Sequence, residues 1–166
     1  GIMGRGIAQT VASMGLEVVI IELDPEKLES AKEKLNDNID NEIKRWAMTK
    51  SDKKSIFSRI KWETDMNAVK DCEIIIEAVQ EDFDSKVKVF KQLDKIVNPD
   101  AIFVSNTSTL SLTNISESLS RPTKVIGMHF LNPVPKVPMV ELVKSLHTSN
   151  ETVLKVKEFA SRIGKT

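Results

Sequence analysis

The sequence predicts an α/β fold in which a doubly wound, mostly parallel sheet is wrapped by helices. Two observations carry that prediction. Four short β-branched runs (18–21, 73–76, 101–104 and 124–128) are almost continuously apolar, the pattern of parallel strands buried on both faces. Between them the apolar residues recur at helical spacing, so strands and helices take turns along the chain.

Composition narrows the function classes. The 166 residues carry 24 Lys+Arg against 24 Asp+Glu. A neutral chain without a basic block lacks the concentrated positive surface that nucleic acids and anionic membranes require. No apolar run approaches the roughly 20 residues of a membrane helix. Cys72 is the single cysteine, which excludes an intrachain disulfide framework and a cysteine metal cluster; a reducing compartment fits. The chain opens at Gly1 without an initiator Met and stops at Gly164-Lys165-Thr166 without a polar taper. It is expected to be a piece of a longer protein.

Asp24-Pro25-Glu26 supplies an N-cap, a proline at the first helical position and an acid in the first turn. Leu28, Ala31, Leu35, Ile39, Ile43 and Trp46 then follow at steps of three and four, an apolar stripe on a long charged helical arm. Residues 49–54 are expected to turn the chain back toward Arg59-Ile60-Lys61-Trp62. A second helix is marked by Phe83, Val87, Phe90, Leu93 and Val97 and stopped by Asn98-Pro99. A third starts at the capping box Thr148-Ser149-Asn150-Glu151. Neither repeat nor linker interrupts residues 1–166, and one domain is the economical count.

Gly1-Ile2-Met3-Gly4-Arg5-Gly6 reads as the end of a G-x-G-x-x-G turn whose first strand and first glycine precede it. Gly1 admits a pyrophosphate to the backbone, Gly4 lets the helix press on the sheet, and the helix N-terminus offers free N–H groups. An ordinary glycine-rich helix start reads the same way. Glu22 favours the dinucleotide: it ends a strand about 20 residues on, the offset at which a carboxylate accepts hydrogen bonds from a ribose. With Asp24 close by, the local charge suits NAD better than NADP.

Three polar clusters follow later strands, at 77–81, 105–109 and 127–133, so all three should gather at one sheet edge, where open α/β sheets bind ligands. His129, leaving a buried strand, is the natural proton carrier. Taken alone it could equally be a structural histidine. Glu141 stands in an apolar stretch with little reason to be there unless partnered. Paired with His129, it would fix the imidazole tautomer and stabilise the imidazolium; otherwise it is a strand residue facing solvent. His147 is expected at the surface.

Together these motifs resemble the NAD-binding domain of the 3-hydroxyacyl-CoA dehydrogenases, in the style of the bacterial 3-hydroxybutyryl-CoA enzymes. The resemblance runs from Gly-Ile-Met-Gly-Arg-Gly through Ile-Glu-Ala-Val, Ser-Asn-Thr-Ser, His-Phe-Leu-Asn-Pro and Val-Glu-Leu-Val to Gly-Lys-Thr. It implies a Rossmann-type domain over 1–166, truncated at both ends, lacking its first strand and a C-terminal helical domain. That absent part would complete the acyl site and make a homodimer. It also implies reversible NAD-dependent oxidation of an L-3-hydroxyacyl-CoA to the 3-ketoacyl-CoA, in fatty-acid metabolism. His129 would be the acid/base and Glu141 its partner, with Ser108 on the substrate 3-oxygen and beside the nicotinamide. Gly1, Ile2, Met3, Gly4, Glu22, Glu81, Lys86 and Asn132 would hold the cofactor, and Asn38 and Arg45 the CoA side. No metal is implied.

The sequence departs from the family at Leu131, where a second Phe is usual, and at Pro138, where a lysine is usual. A cytoplasmic setting is expected, with the mitochondrial matrix as the alternative. Two other functions compete: a nucleotide-binding relative without turnover, and another NAD(P)-dependent hydroxyacid dehydrogenase. Without its first strand, a polypeptide of these residues alone is expected to be unstable or to aggregate through exposed sheet edges.

Overall fold

A computed structural model describes residues 1–166. The chain folds as two compact units, Gly1–Ala68 and Val69–Thr166. No helix is long and apolar enough to cross a membrane.

In the first unit, α1 (Ile2–Ser13) runs into β1 (Val18–Ile21), followed by α2 (Pro25–Lys44), α3 (Lys50–Arg59) and β2 (Ile60–Glu63). β1 and β2 pair in parallel, Val18 opposite Ile60 and Ile21 opposite Glu63. The core joins Ala12 of α1, Leu35 and Ile39 of α2, Ile56 of α3 and Ile60 of β2. The α2 stripe therefore buries as its spacing predicts, with Leu35 and Ile39 fully enclosed.

Two expectations fail at the end of α2. Trp46 lies beyond the helix, at φ 60°, and is 96% exposed; the helix has ended at Lys44, and this left-handed residue turns the chain out of the stripe. Residues 49–54 are not merely a turn. Thr49 and Asp52 form a reciprocal capping box that starts α3, satisfying two otherwise orphaned N–H groups. The arm is thus two helices, tied by the Lys53–Asp40 ion pair at 2.6 Å.

The second unit contains β3 (Ile74–Glu77), α4 (Phe83–Asp94), β4 (Ile102–Ser105), α5 (Leu112–Glu117), β5 (Val125–Phe130), β6 (Val140–Lys144) and α6 (Asn150–Arg162). Its sheet runs β3-β4-β5-β6. The first three strands are parallel and β6 is antiparallel to β5. The expected parallel strands are all present, β1 beside β2 in the first unit and β3, β4 and β5 side by side in the second. Burial follows strand position: interior β4 is buried at every residue, whereas edge strands β1 and β3 are only half-buried at several.

Phe90 of α4 stacks on Phe103 of β4 with ring centroids 5.1 Å apart, and the Arg121 guanidinium lies 5.1 Å from the centre of the Phe103 ring. Arg121 also pairs with Asp94 at 2.7 Å, joining the end of α4 to the segment before β5. α4 stops at Asp94, short of Val97. α6 is capped by Ser149, whose side chain accepts from the Thr152 N–H. The cap therefore falls one residue later than the predicted Thr148. Thr148 is instead buried and donates to the Val125 carbonyl at 2.7 Å.

Candidate active site

In the first unit, α1 starts directly after Gly1 with no side chain capping it. The first intrahelical bond is from the Arg5 N–H to the Gly1 carbonyl, so the N–H groups of Ile2, Met3 and Gly4 have no partner within the helix. Arg5 adds a buried Nε that lacks a hydrogen-bond partner. Glu22 directly follows β1; its N–H donates to the Glu63 carbonyl and its carboxylate accepts from the Asp24 N–H at 3.3 Å. Helix-end donors with a cation for phosphates, and a carboxylate to accept from a ribose, are the groups that a dinucleotide requires. Asn38 on α2 and Arg45 at its end are both exposed.

In the second unit, β3, β4 and β5 are parallel, so the segments after Glu77, Ser105 and Phe130 emerge at one edge, as their sequence positions predict. The register opposes Glu77 to Ser105 and Ser105 to Gly127. Asn106, just past β4, accepts from the Phe130 N–H at 3.0 Å, locking two of these segments together.

The antiparallel pairing of β5 with β6 sets His129 opposite Glu141. Their side chains meet, Nδ1 to Oε2, at 3.0 Å. A carboxylate only accepts, so in the neutral imidazole Nδ1 carries the proton and Nε2 keeps its lone pair. The His129 side chain is 28% exposed, held on a strand yet reachable from solvent. His147 is also at the surface, where its Nε2 meets Glu117 at 3.0 Å.

Ser108 is exposed, and its loop is held from one side by Glu81. The Glu81 carboxylate accepts from the Thr107 hydroxyl, the Ser108 N–H at 3.1 Å and the Thr109 hydroxyl at 3.2 Å. Lys86 pairs with the other oxygen of Glu81 at 3.1 Å. Partial burial pushes the Glu81 carboxyl up, but Thr107, the Lys86 ammonium and the Ser108 N–H together outweigh it and hold the group down at about 2.

That depression has a consequence in acid. A carboxyl whose folded value lies below its ordinary 4.5 stabilises the fold fully above that pH and loses the contribution as pH falls toward about 2. The stability difference between wild type and Glu81→Gln, measured by urea unfolding across this range, should be present at neutral pH and vanish at the acid end. A difference independent of pH would contradict the assignment.

The site contains two residues whose roles the sequence reading missed. Glu77, only 3% exposed, accepts from Lys86 at 2.8 Å and from the Ser105 hydroxyl at 2.7 Å. Thr107 is buried and passes its hydroxyl to Glu81 while accepting from the Leu110 N–H at 3.1 Å. A glutamate closing an apolar strand nine positions before a lysine was the available signal for Glu77. Lys86, which the resemblance sets among the cofactor residues, is fully buried, its ammonium paired with Glu77 and Glu81. Asn132 is exposed in the loop after β5.

The family model for the 3-hydroxyacyl-CoA dehydrogenase NAD-binding domain matches residues 1–166. The chain belongs to that family. A probable 3-hydroxybutyryl-CoA dehydrogenase of Bacillus subtilis is 39% identical over all of this chain and 58% of its own length. The 3-hydroxybutyryl-CoA dehydrogenase of Clostridioides difficile is 39% identical over 99% of this chain and 59% of its own. The crystal structure of the (S)-3-hydroxybutyryl-CoA dehydrogenase of Ralstonia eutropha superposes with a TM-score of 0.96 at 40% identity, covering 99% of this chain and 58% of that one. This NAD-binding domain thus spans somewhat over half the length of those relatives. The α/β fold and the NAD cofactor read from the sequence agree with the family.

Proposed function

We propose that the protein carrying this domain interconverts an L-3-hydroxyacyl-CoA and the 3-ketoacyl-CoA, with His129 as its catalytic acid/base. The observation that carries the reading is the 3.0 Å contact between His129 Nδ1 and Glu141, which leaves Nε2 to exchange a proton. NAD, when bound, supplies the hydride acceptor for oxidation and the donor for reduction.

The residues of this chain handle the proton and the geometry. In oxidation, His129 Nε2 takes the hydroxyl proton as hydride leaves C3, and Glu141 stabilises the imidazolium that forms. In reduction, the imidazolium polarises the ketone and returns the proton. Ser108 donates to the same 3-oxygen and orients it. Glu81, with Lys86 behind it, holds the Ser108 loop. Gly1, Ile2, Met3, Gly4 and Glu22 hold the adenosine and pyrophosphate part of the cofactor, Glu81, Ser108 and Asn132 its nicotinamide part, and Asn38 and Arg45 face the CoA. A substrate such as 3-hydroxybutyryl-CoA in fatty-acid metabolism, a homodimeric assembly and a cytoplasmic setting belong to the same proposal.

The test is the loss of NADH absorbance when the full-length protein is mixed with acetoacetyl-CoA. Turnover that requires the CoA thioester supports the reading. A protein that binds NADH but consumes it with no acyl-CoA would contradict it and favour a nucleotide-binding relative without turnover.

A further inference from the structure

The loop between β5 and β6, residues 131–139, joins the two strands that carry His129 and Glu141. These two residues are the second pair of the hairpin counted from the loop, after Phe130 and Val140. A slip of one residue in such a ladder would turn Glu141 to the opposite face of the sheet. A connection this long does not set register by turn geometry, as a two-residue hairpin turn does. It also contains Pro133, Pro135 and Pro138, which have no N–H to build a hydrogen-bonded loop. β6 is the sheet edge, so no further strand supports its outer side.

Within the loop, the Lys136 and Val137 N–H groups donate to the Pro133 carbonyl at 3.0 and 3.1 Å; the rest of its support comes from beyond α6. Gly164 takes φ 71°, a left-handed turn that suits glycine, and the chain doubles back toward the loop. Lys165 is 5% exposed. Its Nζ donates to the carbonyls of Val134 and Val137, at 2.5 Å each. Thr166 continues the contact: its N–H donates to the Pro138 carbonyl at 2.8 Å, and its carbonyl accepts from the Val140 N–H at 3.0 Å. A buried ammonium is expensive in the absence of compensating partners, and burial lowers the Lys165 pKa. Here the compensation comes from loop carbonyls.

We propose that Lys165 is a positioning residue for the His129–Glu141 pair, its ammonium clamping the 131–139 loop so that β6 keeps the register in which the two side chains touch. The proposal rests on the reading of that pair as the proton carrier. Lys165 touches neither substrate nor cofactor in this account; it acts through the carbonyls at 134 and 137 and through β6.

The experiment compares full-length wild type, Lys165→Met and Lys165→Arg. Lys165→Met keeps the length of the side chain but removes its donors. It should lower kcat for acetoacetyl-CoA reduction by about 10- to 100-fold, the usual cost of losing a residue that orients a functional group, with KM for NADH unchanged. Amide hydrogen exchange at residues 140–143 should quicken in parallel. Lys165→Arg keeps donors and should recover part of both. Wild-type kcat together with wild-type exchange at 140–143 in Lys165→Met would overturn the proposal.

If Lys165→Met does not fold, nitrogen-labelled lysine NMR of wild type decides. Slowly exchanging Lys165 ammonium protons support the clamp, and protons exchanging as fast as those of surface lysines overturn it. If wild type turns over no 3-ketoacyl-CoA, the proposed function fails. The exchange measurements then still decide whether Lys165 holds the hairpin.

Discussion

Replacing His129 with Gln in the full-length protein should lower kcat/KM for acetoacetyl-CoA reduction by about 10²- to 10⁴-fold, the range in which a positioned acid/base contributes. Glutamine retains a donor for Glu141 but cannot carry a proton between substrate and solvent. The Kd for NADH should stay at its wild-type value, because Nε2 faces the reacting oxygen in this account. Stability should change little, by about 1 kcal/mol or less. The imidazole is 28% exposed, and its contact in the fold is with Glu141, itself an exposed side chain. A large fall in thermal midpoint with unchanged kcat would reverse the roles, making His129 structural. Stopped-flow kinetics and NADH fluorescence titration separate the two effects.

Replacing Lys86 with Met has the largest expected effect on stability. Lys86 and Glu77 both have side chains with 0% exposure, and their 2.8 Å contact lies beneath the segment that holds Ser108. Removing the ammonium leaves the Glu77 carboxylate buried with the Ser105 hydroxyl and the Val79 N–H as donors. Breaking one side of a buried pair costs about 3–5 kcal/mol. That is a large fraction of the roughly 5–15 kcal/mol that keeps a typical domain folded. The double variant Lys86→Met/Glu77→Gln should recover part of this loss, since the orphaned charge is gone. Urea unfolding followed by circular dichroism checks both. If Lys86→Met is as stable as wild type, the buried pair is not what holds this edge of the sheet.

The candidate site's sheet edge was legible in the sequence because strand and loop chemistry there is local. Each apolar run ends in a polar cluster, and parallel pairing brings those ends together without further information. His129 and Glu141 could be paired before any coordinates because an acid in an apolar strand needs a partner. The β5–β6 hairpin supplies that partner by register. Less legible were features decided by contacts between distant residues. The resemblance set Lys86 among the cofactor residues, and only the fold reveals it fully buried beside Glu77. Trp46 continues a helical stripe by spacing, yet the helix ends two residues earlier, and a stripe carries no information on where a backbone turns left-handed. Thr49 and Asp52 were readable as a capping box, but the Lys- and Ser-rich composition around them pointed to a turn. No signal in the sequence assigned a role to Lys165, because the carbonyls that it joins lie about 30 residues earlier.

Coupling between His129 and Glu141 tests the central claim most directly. The measurement is a double-mutant cycle on kcat for His129→Gln, Glu141→Gln and the combined variant in the full-length protein. If Glu141 acts only by orienting and stabilising the imidazole, Glu141→Gln alone should slow turnover by about 10- to 100-fold, and adding it to His129→Gln should cost nothing more. Losses that simply multiply would contradict the account, because the carboxylate would then act on the reaction without the histidine.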